Sequence, residues 1–226
     1  MPDSLERVRD EIIGCFRCPR LVAWRERAAR EKRPAFRDWE YWGRPVPGFG
    51  DPAASVLIVG LAPAAHGGNR TGRIFTGDRS GDWLFRALHA TGFANQPTST
   101  HRDDGLRLTG AYVAAVNRCA PPANRPTPEE RDNCLPYLER EIALLPDVRV
   151  IVALGSFALD GIARVFKLRP KPRFAHGAEI ALPDGPDGQS RTVLCSFHPS
   201  QQNTFTGRLT AEMLEAVFRR ARELAG

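Results

Sequence analysis

The chain has 226 residues, 42% of them hydrophobic, which is enough to bury one sizeable core. No apolar run approaches the roughly 20 residues that span a bilayer, and the acidic N-terminus MPDSLERVRDEI lacks the apolar stretch of a secretory signal, so a cytoplasmic protein without membrane contact is expected. A net charge of +6, carried largely by arginine, favours an anionic partner, nucleic acid first, without requiring one.

Residues 5–14 place Leu5, Val8, Ile12 and Ile13 at helical spacing, an amphipathic helix that delivers Cys15 and Cys18 at its end. A second helix, over 20–32, is densely charged and reads as a solvated surface face. Residues 36–52 have no clear period and predict an ordered loop whose aromatics pack locally. The run Val56, Leu57, Ile58, Val59 is short and apolar, a strand buried on both faces. Gly60 and Pro63 end it. The loop beyond carries Gly67, Gly68, Gly72 and Gly77, interleaved with His66, Asn69, Arg70, Arg73, Phe75 and Asp78, and a helix is expected from near Asp82. Strand, glycine-rich loop and helix in that order is where open α/β sheets place ligands. The loop lacks the GK[ST] of a P-loop and the GxGxxG of a dinucleotide site. A purely structural loop would need the glycines, but not Phe75 and Asp78 beside two arginines.

A second apolar run, 111–116, ends in Asn117, Arg118, Cys119 and the proline-rich APPANRPTP. Thr127 or a neighbour starts a helix to about 145, with Pro128, Glu129 and Glu130 suiting its first turn. A third strand, 148–154, leads to a helix over 156–165; the basic KLRPKPRFAHG then reads as a solvated linker, with phosphate contact as the alternative. Strand-like segments at 180–182 and 192–197 flank PDGPDG, which is turn chemistry, and a last helix covers about 210–224. Alternating strands and helices predict a parallel sheet with helices on both faces, one domain over 1–226, and strand-end loops gathered on one rim. Cys195, inside the last strand, reads as a small buried hydrophobe. Cys15 and Cys18 form one pair and Cys119 and Cys134 another; four thiolates suit zinc or an iron–sulfur cluster, and spacing does not choose between them.

The segments GLAPAAHGGNRTGRIFTGD and HPSQQNTFTGRLT, with the two cysteine pairs, resemble the iron–sulfur uracil-DNA glycosylases, most narrowly their B-type (family-five) branch. The resemblance runs from about Cys15 to Thr210. It implies a three-layer α/β/α sandwich on a central four-stranded parallel sheet, and a [4Fe–4S] cluster on Cys15, Cys18, Cys119 and Cys134. It also implies hydrolysis of the N-glycosidic bond of uracil in duplex DNA, leaving an abasic site. Better-known uracil glycosylases carry a water-activating Asp or Asn in the first motif; here Leu61-Ala62-Pro63-Ala64-Ala65 has no polar side chain. The A-type relatives read uracil with an Asn on the second strand, where this chain has Ala115. Both departures are typical of the B-type branch and favour deaminated purines, hypoxanthine and xanthine, as further substrates.

A glycosylase extrudes its nucleotide and reads it in a pocket. Phe75 offers a flat face to the flipped base, with Ala64 and His66 beside it as candidate substrate contacts. His198, at a strand end, suits stabilisation of the departing base anion. Asp78 is the nearest carboxylate able to position water, its alternative role being to cap the following helix. Asn124 is the candidate second polar group on base or water, with Asn117 its runner-up. Gln201, Gln202, Asn203 and Phe205 form a wedge for the vacated stack, while Arg208, Arg70 and Arg73 meet phosphate. A monomeric hydrolase is expected. A non-catalytic binder of flipped bases and a nucleotide hydrolase are the competing classes.

Overall fold

The computed structural model describes residues 2–183 and 189–226. Two helices open the chain, α1 (Leu5–Ile13) and α2 (Pro19–Glu31). Ser4 caps α1 by accepting from the Arg7 N–H, and Pro19 begins α2 where a missing N–H costs nothing. The aromatic stretch beyond contributes a two-residue strand, β1 (Phe49–Gly50). β2 (Val56–Gly60) leads through a short helix, α3 (Gly68–Thr71), to α4 (Arg79–Ala90). This last helix starts before the expected Asp82 because Asp78 caps it.

β3 (Ala111–Ala115) precedes α5 (Pro128–Ala143), where Thr127 and Glu130 form a reciprocal capping box. β4 (Val150–Leu154) runs into α6 (Ser156–Val165). β5 (Glu179–Ala181) and β6 (Thr192–Ser196) follow; of the turn expected between them at 183–188, residues 184–188 lie outside the described part of the chain. α7 (Gln201–Phe205) and α8 (Ala211–Ala225) complete the order, with Thr210 capping α8.

The strand order is β1-β3-β2-β4-β6-β5. β3, β2, β4 and β6 are parallel, the four central strands expected. β1 and β5 pair antiparallel at the two edges, so the sheet has six strands rather than four. β1, two residues long, is too brief to declare a period in sequence, whereas β5, three residues long, falls on the strand-like segment expected at 180–182.

Alternation along each central strand divides the core in two. Val56 and Ile58 of β2 and Val150, Val152 and Leu154 of β4 face α4 and α8. Leu57, Val59, Ile151 and Ala153 face the side covered by α5 and α6. Full burial of each Val, Leu or Ile here is worth about 1.5–3 kcal/mol. Cys195 lies fully buried in the second of these layers. Among the described residues no helix is long and apolar enough to cross a membrane.

From β2 the chain crosses to β3 on one side, and from β4 to β6 on the other. The carboxyl ends of β2 and β4 therefore part around a crevice, the topological switch point where such sheets bind ligands.

Candidate active site

A cavity of about 250 Å³ opens at that switch point. Its wall takes Leu61 from the end of β2, Leu154 and Gly155 from β4, Ser156 and Phe157 from the first turn of α6, and Phe197 and His198 from beyond β6. Phe174, Asn203 and Arg208 complete it. The volume is below the roughly 300–1,000 Å³ of pockets for drug-sized ligands. Phe75 and Asp78 are outside this wall, and Phe75 adjoins it through His198, the two ring centroids lying 5.8 Å apart.

The segment around His198 is tightly held. Its carbonyl accepts from the Ser200 N–H and from Asn203 Nδ2, each at 2.8 Å. The preceding Phe197 ring stacks on His176 at 5.0 Å, its N–H donates to His176 Nδ1 at 3.1 Å, and Arg208 lies 4.4 Å from its centre. Burial pushes the His198 imidazole down to about 4, so at neutral pH it is uncharged, with one N–H to give and one lone pair to accept. Phe174, His176 and Phe197 were not singled out from sequence. Phe197 had a signal, its place at a strand end beside His198; Phe174 and His176 sat in a stretch read as linker, with none.

Asp78 is the N-cap of α4, its Oδ1 accepting from the Gly81 N–H at 3.0 Å. Its other oxygen, Oδ2, lies over Gly67, where a β-carbon would come within 2.0 Å. Burial raises this carboxyl above the usual range against the opposing backbone hydrogen bonds from Gly81 and Ser80, leaving a desolvated group with raised proton affinity. Phe75 is only 5% exposed, and its ring covers Gly60, whose β-carbon would fall 2.6 Å from it. Its φ of +53° is a left-handed conformation that a phenylalanine keeps only where its surroundings hold it. Ala64 contributes its carbonyl to the Gly67 and Asn69 N–H groups. His66 pairs through Nδ1 with the Tyr41 hydroxyl at 3.0 Å, and burial, then Arg33 and Arg70, lower its pKa.

Arg70 and Arg73 face inward, which corrects their expected place on phosphate. Arg73 donates to both Asp104 oxygens at 2.8 Å and to Ser99 and Thr76. Arg70 lies 3.9 Å from the centre of the Phe36 ring and 4.1 Å from that of Trp39, and donates to the His66 and Gly77 carbonyls. Buried at 3% and 7% exposure, Arg70 and Arg73 pack inside the loop rather than on its outer face, Arg70 keeping Nη1 without a partner among the described residues.

The two asparagines separate. Asn117 is fully buried, giving Nδ2 to the Glu130 carbonyl at 2.9 Å and leaving Oδ1 without a partner. Asn124 is exposed, and it and Ala123 both have positive φ in the loop before Thr127. Gln201, Gln202, Asn203 and Phe205, expected on a loop, form the single-turn helix α7. Gln201, Gln202 and Arg208 are exposed, and Phe205 is 66% exposed with Arg79 5.1 Å from its ring centre.

Cys18, Cys119 and Cys134 are buried and Cys15 half-buried, and none of the four is in a disulfide. Burial pushes Cys119 up to about 12 and Cys134 up to about 11, and raises Cys18; each also feels the charge of at least one other cysteine of the set. Such sulfurs become thiolates only against positive charge. Arg25 Nη1 donates to Cys119 Sγ at 3.1 Å, and Asn133 Nδ2 to Cys18 Sγ at 3.6 Å. Arg25, 1% exposed, is thus an exception to the solvated face expected of α2. Among the described residues no three His, Cys, Asp or Glu side chains are grouped as ligands of a metal ion. Neighbouring sulfurs with N–H donors against two of them are nonetheless the donor set a thiolate-ligated iron–sulfur group requires.

A parallel sheet with a ligand cavity at its switch point, a desolvated carboxylate on the first loop and a neutral histidine on the last define a candidate enzyme of the α/β/α class. Residues 47–222 match the uracil DNA glycosylase superfamily. The type-5 uracil-DNA glycosylase of Mycobacterium tuberculosis is 54% identical over 218 residues, covering 95% of this chain and 80% of that protein. That of Thermus thermophilus is 54% identical over 216 residues, covering 95% of each, and that of Mycobacterium leprae 52% identical over 226 residues, covering 99% and 96%. The chain belongs to the uracil-DNA glycosylase superfamily, in its type-5 branch.

Proposed function

We propose that the chain hydrolyses the N-glycosidic bond of uracil, and also of hypoxanthine and xanthine, in duplex DNA, acting as a monomer. The observation that carries this reading is the cavity at the switch point, which His198 lines and which the first loop meets through the Phe75 ring, 5.8 Å from that of His198, with the Asp78 carboxyl on the same loop. The names and coverage of the relatives support the uracil reaction. The Ala64-Ala65 turn supports the wider range, because it presents no side-chain donor or acceptor to reject one base over another.

In this reaction the oxygen of a water molecule bonds to C1′ of the sugar as the bond from C1′ to the base nitrogen breaks. The electron pair leaves with the base, and Asp78 takes the proton of the water. His198 gives its N–H to the base anion in a pocket where that hydrogen bond is strong. Phe75 backs the His198 ring and packs against the base, with Ala64 and His66 on the loop beside it. Asn124 reaches base or water from its exposed loop, Asn117 being the alternative group. The exposed Gln201, Gln202, Phe205 and Arg208, with Asn203 at the cavity, contact the DNA from which the base is withdrawn.

Cys15, Cys18, Cys119 and Cys134 would hold a [4Fe–4S] cluster. When bound it supplies a cross-link between the start of α2 and residues 119–134, the segment that carries Asn124, and the hydrolysis needs no electron from it.

Single-turnover release of base from labelled duplexes containing uracil, hypoxanthine or xanthine tests the reading. Release of several bases is expected, slowed about 10²–10⁴-fold in Asp78→Ala. Tight binding of every duplex with no base released would overturn the reading and leave a binder of damaged DNA.

A further inference from the structure

Arg25 is buried on α2 at 1% exposure and, among the described residues, meets no carboxylate. Arg73, Arg118 and Arg131, also buried, each meet one, in Asp104, Glu141 and Asp160. Arg70 of the first loop, buried and likewise without one among the described residues, lies against the Phe36 and Trp39 rings and two carbonyls but no sulfur. Arg25 instead donates to Cys119 Sγ at 3.1 Å and to the Cys15 carbonyl at 3.2 Å, lies 4.9 Å from the centre of the Phe16 ring, and leaves Nε with no partner. An uncompensated buried charge is strongly unfavourable. Carbonyls, a ring face and neutral thiols soften that charge without cancelling it, whereas thiolates around an anionic cluster would cancel it.

We propose that Arg25 is the built-in counter-charge of the four-cysteine site, holding a thiolate-ligated iron–sulfur cluster in its assembled form and tying it to the first loop. The proposal rests on the cluster reading above. The tie runs through the backbone. The Arg25 carbonyl accepts from Asn69 Nδ2 at 3.1 Å, and the same nitrogen donates to the Ala65 carbonyl at 3.3 Å. One residue therefore touches the sulfur site with its side chain and the glycine-rich loop with its main chain.

A cation beside the cluster favours the more negative, reduced form, so its removal lowers the reduction potential. The test compares anaerobically purified wild type, Arg25→Met and Arg25→Lys by iron and sulfide content, visible absorbance and reduction potential. Arg25→Met keeps the bulk and loses the charge; its potential is expected below wild type, and its visible absorbance to bleach in air about threefold faster or more. Arg25→Lys is expected close to wild type in both. A methionine variant indistinguishable from wild type, or a lysine variant shifted as far as the methionine one, overturns the proposal. Should Arg25→Met take up no cluster, a loaded Arg25→Lys supports it and an unloaded one overturns it. Wild type without iron and sulfide would remove the cluster reading itself, a result distinct from any difference between variants.

Discussion

At the scale of single residues, His198 and Asp78 are set by the same force in opposite directions. Desolvation disfavours whichever form is charged, so it lowers the imidazole and raises the carboxyl. For His198 the window runs from the ordinary 6.5 to about 4. Above it the folded and unfolded chains both hold the ring neutral. Within it the unfolded chain binds a proton that the folded chain resists, so stability is full above 6.5, falls as pH drops through the window, and has lost this contribution below about 4. The contribution is at most on the order of 3 kcal/mol. Urea unfolding of wild type and His198→Asn across this range should show a steeper acid loss in wild type; parallel curves would mean the ring is not desolvated in solution. Catalytically, single-turnover rates should lack an inflection near 6.5. If Asp78 takes the proton as proposed, they should show an acid limb above the usual carboxylate range that disappears in Asp78→Asn.

At the scale of elements, the segment from β2 to α4 works as one unit because its glycines permit close approach. Gly67 leaves room for Asp78 Oδ2, and Gly60 leaves room for the Phe75 ring. Gly67→Ala places a β-carbon 2.0 Å from that oxygen, so the carboxylate must turn away. Single-turnover rate is expected to fall about tenfold or more with the Gly81 cap strained, at a loss of roughly 1 kcal/mol in stability. A rate equal to wild type would detach the Oδ2 position from catalysis. The sequence showed the apolar run, the breaker Gly60 and the polar load of this loop, because those signals are local. It could not show that Arg70 and Arg73 turn inward. Their partners, Phe36, Trp39, Ser99 and Asp104, lie about thirty positions away in the chain, and a charged side chain far from its partner reads as solvated. Phe174 and His176 were missed for the same reason, since their packing on Phe197 is a tertiary event in a stretch without a period.

At the scale of the whole molecule, the charge of +6 overstates what faces outward in one sense and hides where it acts in another. Arg73, Arg118 and Arg131 are consumed in buried pairs, while Arg208 stands exposed at the cavity mouth over Phe197. Binding to DNA releases condensed counterions, so the logarithm of affinity falls with the logarithm of salt, by about 0.9 per phosphate neutralised. The two kinds of arginine then separate cleanly by experiment. Arg208→Ala should lessen the salt slope on undamaged duplex by about 0.9 and change stability by no more than about 0.5 kcal/mol. Arg73→Ala should leave the slope intact and cost about 2–3 kcal/mol, because it removes the ion-pair partner of the half-buried Asp104 carboxylate, which keeps the N–H groups of Thr100, His101 and Leu106, and leaves Thr76 and Ser99 without their guanidinium. Fluorescence anisotropy at several salt concentrations, with thermal unfolding of the same samples, measures both quantities. An unchanged slope in Arg208→Ala would move phosphate recognition off this rim, and a reduced slope in Arg73→Ala would mean that the loop opens to admit DNA.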